Sequence, residues 1–449
     1  MYHFFLFLSN FFDTFCTIDF IMYWHYFSYT LYTIDMIYLC DLIIFVRFFF
    51  ANYLAICLRD QYNNHILLWF FVKMIVWTIV FVVCVVMIIG WMMTQFYGLL
   101  DRPWPDVPAR KPVPTVLGIW AIVAFVCMIV WYYGLWYIWT HSYVLWLLVW
   151  SILIWWLALT DELLEMRSRN VAVKWDKTQW AYVLSPKFKT MIQIIIVIGS
   201  LWIWWLTVPE FVIGQTTIVF PVRFAYLIAT VWCVWFINVV NRFDGVYGLV
   251  SGMASIGFLT LYILVSVIVM WSYQLTPEYQ YVLSFVSYAS LVLTIVSIIS
   301  LCIEYKPLGL LRDVGTMFFG FALAYLSLLW GAKIGTIMVV LSLVLFDAVR
   351  VLINRILKNG NPMRWDYTHL HHRLLANGRS RGEIRVWVRS WSLFFMILIL
   401  LQGTNRINKL IICILMLIVF FGINIYIFWI KKLPDHLDLQ KVKKNSKKN

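Results

Sequence analysis

Three of the chain's eight histidines, His369, His371 and His372, fall within four residues and are followed by Arg373. They lie in a polar, basic stretch from Asp347 to Arg389 that also holds Arg350, Arg364, Arg379 and Arg381. A structural zinc site would need cysteines or histidines at regular helical spacing, and the cluster has neither. Arginine forks match phosphate oxygens, so recognition of a phosphorylated anion is the more economical chemistry. Asp347 and Arg350 stand at i and i+3 and can pair on one helix face. An aspartate in the apolar margin of a membrane helix is expected to carry function.

Further polar groups recur at the ends of apolar runs. Asn238, Asn241 and Asp244 are spaced i, i+3, i+6, roughly along one side of a helix end. Amide oxygens and a carboxylate suit a hard cation or a sugar, and Gly245, Gly248 and Gly252 allow close backbone approach. Helix termination is the plainer reading of the same residues. Asp313 opens an apolar run after Arg312, where an aspartate serves as an N-cap or as a Mg2+ ligand at the membrane surface. Asp161 and Glu162 close another run; adjacent carboxylates can ligate metal or act as a base, or simply solvate a helix end.

The elements that must position these groups are membrane helices. Of 449 residues, 63% are hydrophobic and only 12% charged, and apolar runs recur along the chain, which implies an all-α integral membrane protein. Spans are expected near 66–98, 116–138, 143–159, 190–208, 218–240, 250–272, 281–303, 314–330, 333–353, 387–402 and 408–430, about 11 transmembrane helices within a polytopic unit at 66–430. Residues 1–65 form an aromatic-rich extension of no assigned role, and 431–449 a basic cytoplasmic tail suited to anionic headgroups. No positively charged region precedes Arg47, so no cleavable signal peptide is expected. The eight cysteines lie in apolar runs without CxxC spacing and read as small buried hydrophobes.

With the 99–115 loop inside, alternate loops hold 28 of the 35 lysines and arginines, while the opposite loops hold only Arg223, Lys333, Arg406 and Lys409. The net charge of +14 is therefore a positive-inside signal rather than a nucleic-acid surface. Asp161, Asp244, Asp313, Asp347 and the histidines then all fall at the inside ends of helices. The expected active site is on the cytoplasmic face of a multi-pass protein of the cell (inner) membrane.

In this order the motifs resemble one family. Asn-x-x-Asn-x-x-Asp-Gly (238–245), Asp-Val-Gly-Thr (313–316), and Asp347 before His-Leu-His-His-Arg-Leu (369–374) are similar to the polyprenyl-phosphate N-acetylhexosamine-1-phosphate transferases, which include WecA-like enzymes and the MraY translocases. The first inside loop, with Asp101, Pro103 and Arg110-Lys111-Pro112-Val113-Pro114-Thr115, and Leu184-Ser185-Pro186 after Asp161-Glu162 extend the resemblance. The resemblance implies transfer of a sugar phosphate from a UDP-N-acetylhexosamine to polyprenyl phosphate, release of UMP, and Mg2+ or Mn2+ as cofactor. It implies Asp313 as metal ligand and Asp161, Glu162 and Asp244 as catalytic groups. Lys111, Asn238, Asn241, Asp347, Arg350, His369, His371, His372 and Arg373 would then bind substrate. His-Leu-His-His-Arg-Leu favours the WecA-like branch, with UDP-GlcNAc or a related sugar and a surface polysaccharide as destination.

The chain departs from the family at Glu162, where the second aspartate of an Asp-Asp pair is expected, at Tyr247 in place of a carboxylate, and at Arg312 in place of glycine. These departures leave open a catalytically degenerate homologue that binds the lipid carrier or scaffolds an assembly. An MraY-like phospho-sugar-peptide transferase is a second alternative, and the resemblance also leaves a homodimer open. A transporter is disfavoured, because its mark, charged or broken segments at mid-membrane depth, is missing from the sequence.

Overall fold

The structure is a computed structural model. It describes residues 117–172, 184–203, 216–271, 276–305, 308–329, 334–357, 368–376 and 378–402, with shorter pieces at 78–87, 100–101, 113–114 and 210–213 and single positions elsewhere. The 1–65 extension, Lys111, Arg364 and the tail at 431–449 lie outside the described residues.

The chain divides into two units, Met1–Trp77 and Thr78–Asn449, and the described elements belong to the second. They are α1 (Thr78–Met87), β1 (Leu100–Asp101), β2 (Val113–Pro114), α2 (Leu117–Thr140), α3 (Ser142–Ala172), α4 (Pro186–Ile203), β3 (Glu210–Ile213), β4 (Thr216–Val219), α5 (Val222–Arg242), α6 (Leu249–Trp271), α7 (Pro277–Tyr305), α8 (Arg312–Leu328), α9 (Ile334–Val340), α10 (Ser342–Leu357), α11 (Leu370–Ala376) and α12 (Arg381–Gln402).

Among the described residues six helices are long and apolar enough to cross a membrane, or seven if the bent pair α9–α10 is one span. The described count is thus lower than the eleven spans expected, for two physical reasons beyond the undescribed stretches. Helix α4 begins Pro-Lys-Phe-Lys and carries Gln193, so its first turns are polar. Helix α8 has only 17 residues. Both spend their polar ends on the site described below. The expected 333–353 span is two helices meeting at 86° around Leu341.

The fold also contains two small antiparallel hairpins that a purely helical reading omits, β1–β2 and β3–β4. The second pairs Glu210 with Val219 through Ile213 with Thr216, and its β-branched and aromatic residues suit that conformation. Pro221 then delays the start of α5 to Val222.

Helix α8 is the hub. Every residue from Val314 to Leu328 is buried, and the helix packs against α2, α3, α5 and α6. A helix that is apolar all round belongs inside a bundle. Glycines bring backbones together at its start: a Cβ on Gly118 would stand 2.2 Å from the Gly315 amide nitrogen. Outward-facing Trp156, Ile195, Trp202, Phe394 and Leu401 are exposed, as side chains facing lipid tails should be.

Candidate active site

The first turn of α8 places Asp313 beside α3, α4 and α5. Lys189, in the first turn of α4, donates from Nζ to Asp161 Oδ2 and to Asp313 Oδ2, each at 2.6 Å. Burial pulls the lysine pKa down, but the two carboxylates outweigh it and raise the pKa, so the ammonium stays charged. Burial would likewise raise the Asp313 carboxyl. Lys189, Arg312 and the Asn241 amide outweigh that and hold it at about 2. Asn241 Nδ2 donates to Asp313 Oδ1 at 3.1 Å and to Thr316 Oγ1 at 2.9 Å. Asn238, one helical turn back, donates to Gln193 Oε1 at 2.7 Å and so ties α5 to α4.

Arg312 stands at φ +52°, in the left-handed region. This is the position where the family resemblance has glycine, and the backbone explains that preference: glycine adopts the conformation without a Cβ penalty. The arginine directs its Nε to within 3.7 Å of the buried Glu162 carboxylate. Glu162 therefore lies against Arg312, while Asp161 faces Lys189.

A second polar group meets the first at the turn after α5. Gly245 has no room for a side chain, since a Cβ there would stand 2.3 Å from His371 Nε2. Phe243 packs on His371 and His369 with ring centroids 5.0 and 5.7 Å away. The histidine loop is thereby seated on the Asp244–Gly245 turn. Burial, then the nearby carboxylates led by Glu304, push the Asp244 carboxyl well above the usual range, against the pull of Arg312.

Asp347, fully buried on α10, holds this loop shut. Its Oδ1 accepts from Arg350 Nε and Nη2 at 3.1 and 2.8 Å, and its Oδ2 accepts from the Leu370 amide at 2.9 Å. His369 Nδ1 lies 3.1 Å from Oδ2, which directs the buried Nε2, without a hydrogen-bond partner among the described residues, away from the carboxylate. Arg350 also donates to Thr368 O at 2.8 Å. His371 is fully buried, and burial and the flanking histidines hold its pKa well below the usual value. It is therefore a neutral ring at pH 7. Arg373 is buried as well.

Asp161, Asn241 and Asp313 are thus brought into direct or lysine-bridged contact, with Glu162 reached through Arg312, and the Phe243–Gly245 turn, which carries Asp244, packs on His369 and His371. Lys189 was missed as a site residue because a lysine opening a membrane helix reads as an ordinary flanking charge. Of the arginines of α12, Arg381 was read with the phosphate-recognising stretch, while Arg385 and Arg389 were counted only as inside charges. Arg381 lies over the Tyr247 ring at 5.4 Å, and Arg385 lies over Tyr305 at 4.5 Å.

Asp161 and Asp313 offer carboxylate oxygens that fit Mg2+, which takes one or two carboxylates and completes its shell with substrate phosphates and water, while Asn241 turns its Nδ2 toward Asp313. Among the described residues, buried Asp161 Oδ1 has no hydrogen-bond partner, which leaves an acceptor for a cation or a donor. Among the described residues no group of three or more His, Cys, Asp or Glu is gathered for a metal, so a cage closed by protein alone is not formed there.

A cavity of about 710 Å³ lies beside this cluster, lined by neighbours of Lys189 and Asn241 rather than by Asp161, Lys189, Asn241 or Asp313 themselves. Thr190, Asn238 and Arg242 line it at the polar end, Ile194, Leu227, Val231 and Trp235 along its walls, and Trp202 and Arg223 at the far end. Ala348 and Leu352 of the bent helix α10 also face it. From Arg223 to Arg242 along α5 is roughly 28 Å at about 1.5 Å per residue.

Residues 144–331 match glycosyl transferase family 4. The chain is also 29% identical over 214 residues to a probable undecaprenyl-phosphate N-acetylglucosaminyl 1-phosphate transferase of Bacillus subtilis (strain 168), covering 44% of this chain and 54% of that protein. The chain therefore spans about half the length of the curated relative it matches. The matched segment contains Asp161, Glu162, Lys189, Asn238, Asn241, Asp244 and Asp313, and the histidine loop lies beyond it. The site built on Asp161, Lys189, Asn241 and Asp313 thus lies within the segment that is similar to glycosyl transferase family 4.

Proposed function

We propose that the chain transfers an N-acetylhexosamine-1-phosphate from a UDP-sugar to polyprenyl phosphate at the cytoplasmic face of the cell membrane, releasing UMP and starting a lipid-linked surface glycan. The observation that carries this reading is the apolar cavity ending at Asn238 and Arg242, beside the Asp161–Lys189–Asp313 cluster. An isoprenoid tail fits such walls, and its phosphate then lies at the carboxylate–lysine cluster. The Bacillus subtilis relative, by its name, works with undecaprenyl phosphate and N-acetylglucosaminyl 1-phosphate, which supports undecaprenyl phosphate and UDP-GlcNAc as the first pair to try.

In this reaction an oxygen of the lipid phosphate attacks the β-phosphorus of the UDP-sugar. The bond from that phosphorus to the bridging oxygen breaks, and UMP departs with the electron pair. Phosphoryl transfer of this kind depends on positioning and charge neutralisation. Asp313 and Asp161 would hold Mg2+ or Mn2+, and such an ion would supply charge neutralisation to the diphosphate. Lys189 supplies a second positive charge at the same place. Asp161 Oδ1 takes the proton of a monoprotonated lipid phosphate. Asn241 fixes the Asp313 carboxylate, and the His369–Arg373 loop, held by Asp347 and Arg350, closes the nucleotide side. Asp244 holds a proton more readily than an ordinary carboxyl and so can donate a hydrogen bond to a phosphate oxygen.

A second reading, a catalytically silent lipid-carrier-binding homologue, is favoured by Tyr247, whose ring under Arg381 stands where the resemblance has a carboxylate. The two are separated by incubating purified protein with undecaprenyl phosphate, Mg2+ and a panel of UDP-N-acetylhexosamines and measuring UMP. Lipid-dependent UMP with at least one sugar is expected. No UMP with any sugar, from folded protein that still binds the lipid, establishes the silent reading instead.

A further inference from the structure

Helix α8 begins without a cap of its own. Its N-cap residue is Leu311, which has no side-chain acceptor to offer. The next residue, Arg312, is held at φ +52°, and Asp313 follows. A left-handed residue between an uncapped leucine and a functional aspartate persists only if surrounding structure fixes it.

That fixing comes from another helix. Glu304, in the last turn of α7, is buried, 1% exposed. Its Oε1 accepts the Leu311 amide at 3.0 Å, and its Oε2 accepts the Ser251 hydroxyl of α6 at 2.6 Å. In a capping box, a glutamate of the helix itself reaches back to the N-cap amide. Here the same bond is made by a carboxylate from a neighbouring helix, placed where the positive end of the α8 dipole favours it. Arg389 of α12 braces the arrangement. Its Nη2 donates to Gly248 O at 2.7 Å, and it packs so closely on Gly252 that a Cβ there would stand 2.4 Å from Nε. The α2 backbone closes the other side, with the Leu117 amide donating to Leu310 O at 3.2 Å.

We infer that Glu304 is a positioning residue for the transferase site: by capping Leu311 from outside α8 it sets the left-handed Arg312 and thereby the place of Asp313 against Lys189 and Asn241. The catalytic part of this inference rests on the proposed function; the capping part does not.

The test compares wild type, Glu304→Ala, Glu304→Gln and Ser251→Ala in detergent. Three quantities are read: amide hydrogen exchange in peptides covering 308–316 and in control peptides from α6 and α7, Mn2+ binding by its paramagnetic signal, and kcat and KM with UDP-sugar and lipid. Loss of a charge-assisted hydrogen bond should speed exchange at the start of α8 by about tenfold to a hundredfold. Glu304→Ala is expected to do this selectively, to weaken Mn2+ binding, and to lower kcat by about tenfold or more with the lipid KM nearly unchanged. Glu304→Gln, which keeps an acceptor for Leu311, should restore most of the protection, and Ser251→Ala should fall between. Unchanged exchange at 308–316 in Glu304→Ala overturns the inference. So does exchange that rises equally in α6 and α7 and is not rescued by glutamine, because that pattern describes packing alone. Wild-type protein without turnover refutes the transferase reading, and the exchange and Mn2+ measurements then still decide the capping claim.

Discussion

Removing the bridging ammonium, by Lys189→Met, should cost stability without a divalent cation and strengthen the hold on one. The Nζ atom makes two charge-assisted bonds of 2.6 Å, and the lysine and Asp161 side chains are only 15% and 12% exposed. Deleting one partner of a buried pair costs about 3–5 kcal/mol. Asp313 is 37% exposed, so solvent screens its share and a loss of about 2–3 kcal/mol is expected. The pH dependence follows from Asp313. Its carboxyl is lowered from 3.8 to about 2, so its stabilising contribution is present above about pH 4 and is lost as pH falls toward 2. The stability gap between wild type and Lys189→Met should therefore be full at neutral pH and close over that window. In wild type the ammonium competes with a cation for the same carboxylates, so Mg2+ should raise the melting temperature more in the variant, while turnover falls by about a hundredfold or more. Thermal unfolding in detergent with Mg2+ or EDTA reads all but the turnover. Equal melting temperatures for the two proteins in EDTA, or a gap that stays constant to pH 2, would refute the bridge as a stabilising and cation-competing element.

Three substitutions probe the rest of the site. Gly245→Ala should destabilise by about 1–3 kcal/mol and reduce turnover, because the new Cβ meets His371 Nε2 at 2.3 Å, and wild-type melting and rate would show the histidine loop sits elsewhere. Asp347→Asn should destabilise by about 3–5 kcal/mol, since it leaves Arg350 without its buried anion; a melting temperature within a degree of wild type contradicts that role. Arg312→Gly should leave stability unchanged or higher, because relief of the left-handed backbone, about 1 kcal/mol, offsets the loss of its 3.7 Å approach to Glu162. A marked fall in melting temperature would mean the Glu162 contact dominates.

The helices between 117 and 402 were legible because lipid-facing and buried residues are both apolar, so hydropathy alone marks a helix, though it overstated how many are long enough to span. It does not mark a bend, and the 86° break at Leu341 has no proline, only Ser342 beside it. The i, i+3 relation of Asp347 and Arg350 was readable, and the pair forms at 2.8 Å. The tie from Asp347 to His369 crosses 22 residues, and nothing local announces it. The same holds for Glu304, a carboxylate at the end of a span whose partners come from two other helices, and for Lys189, whose partners are 28 and 124 residues away. Asn241 was picked for its spacing, and its actual work, orienting Asp313, emerged only when α5 and α8 were packed together.

In the proposed reaction the bond broken lies between the two phosphates of the sugar nucleotide, at the Asp161–Lys189–Asp313 cluster. UDP-GlcNAc labelled in its β-phosphate tests it directly. With undecaprenyl phosphate and Mg2+, wild-type protein should carry the label into the lipid fraction as UMP appears, and Asp313→Ala should lower that transfer by about a thousandfold or more. Label that stays in water as UDP, or transfer by Asp313→Ala at the wild-type rate, would contradict it.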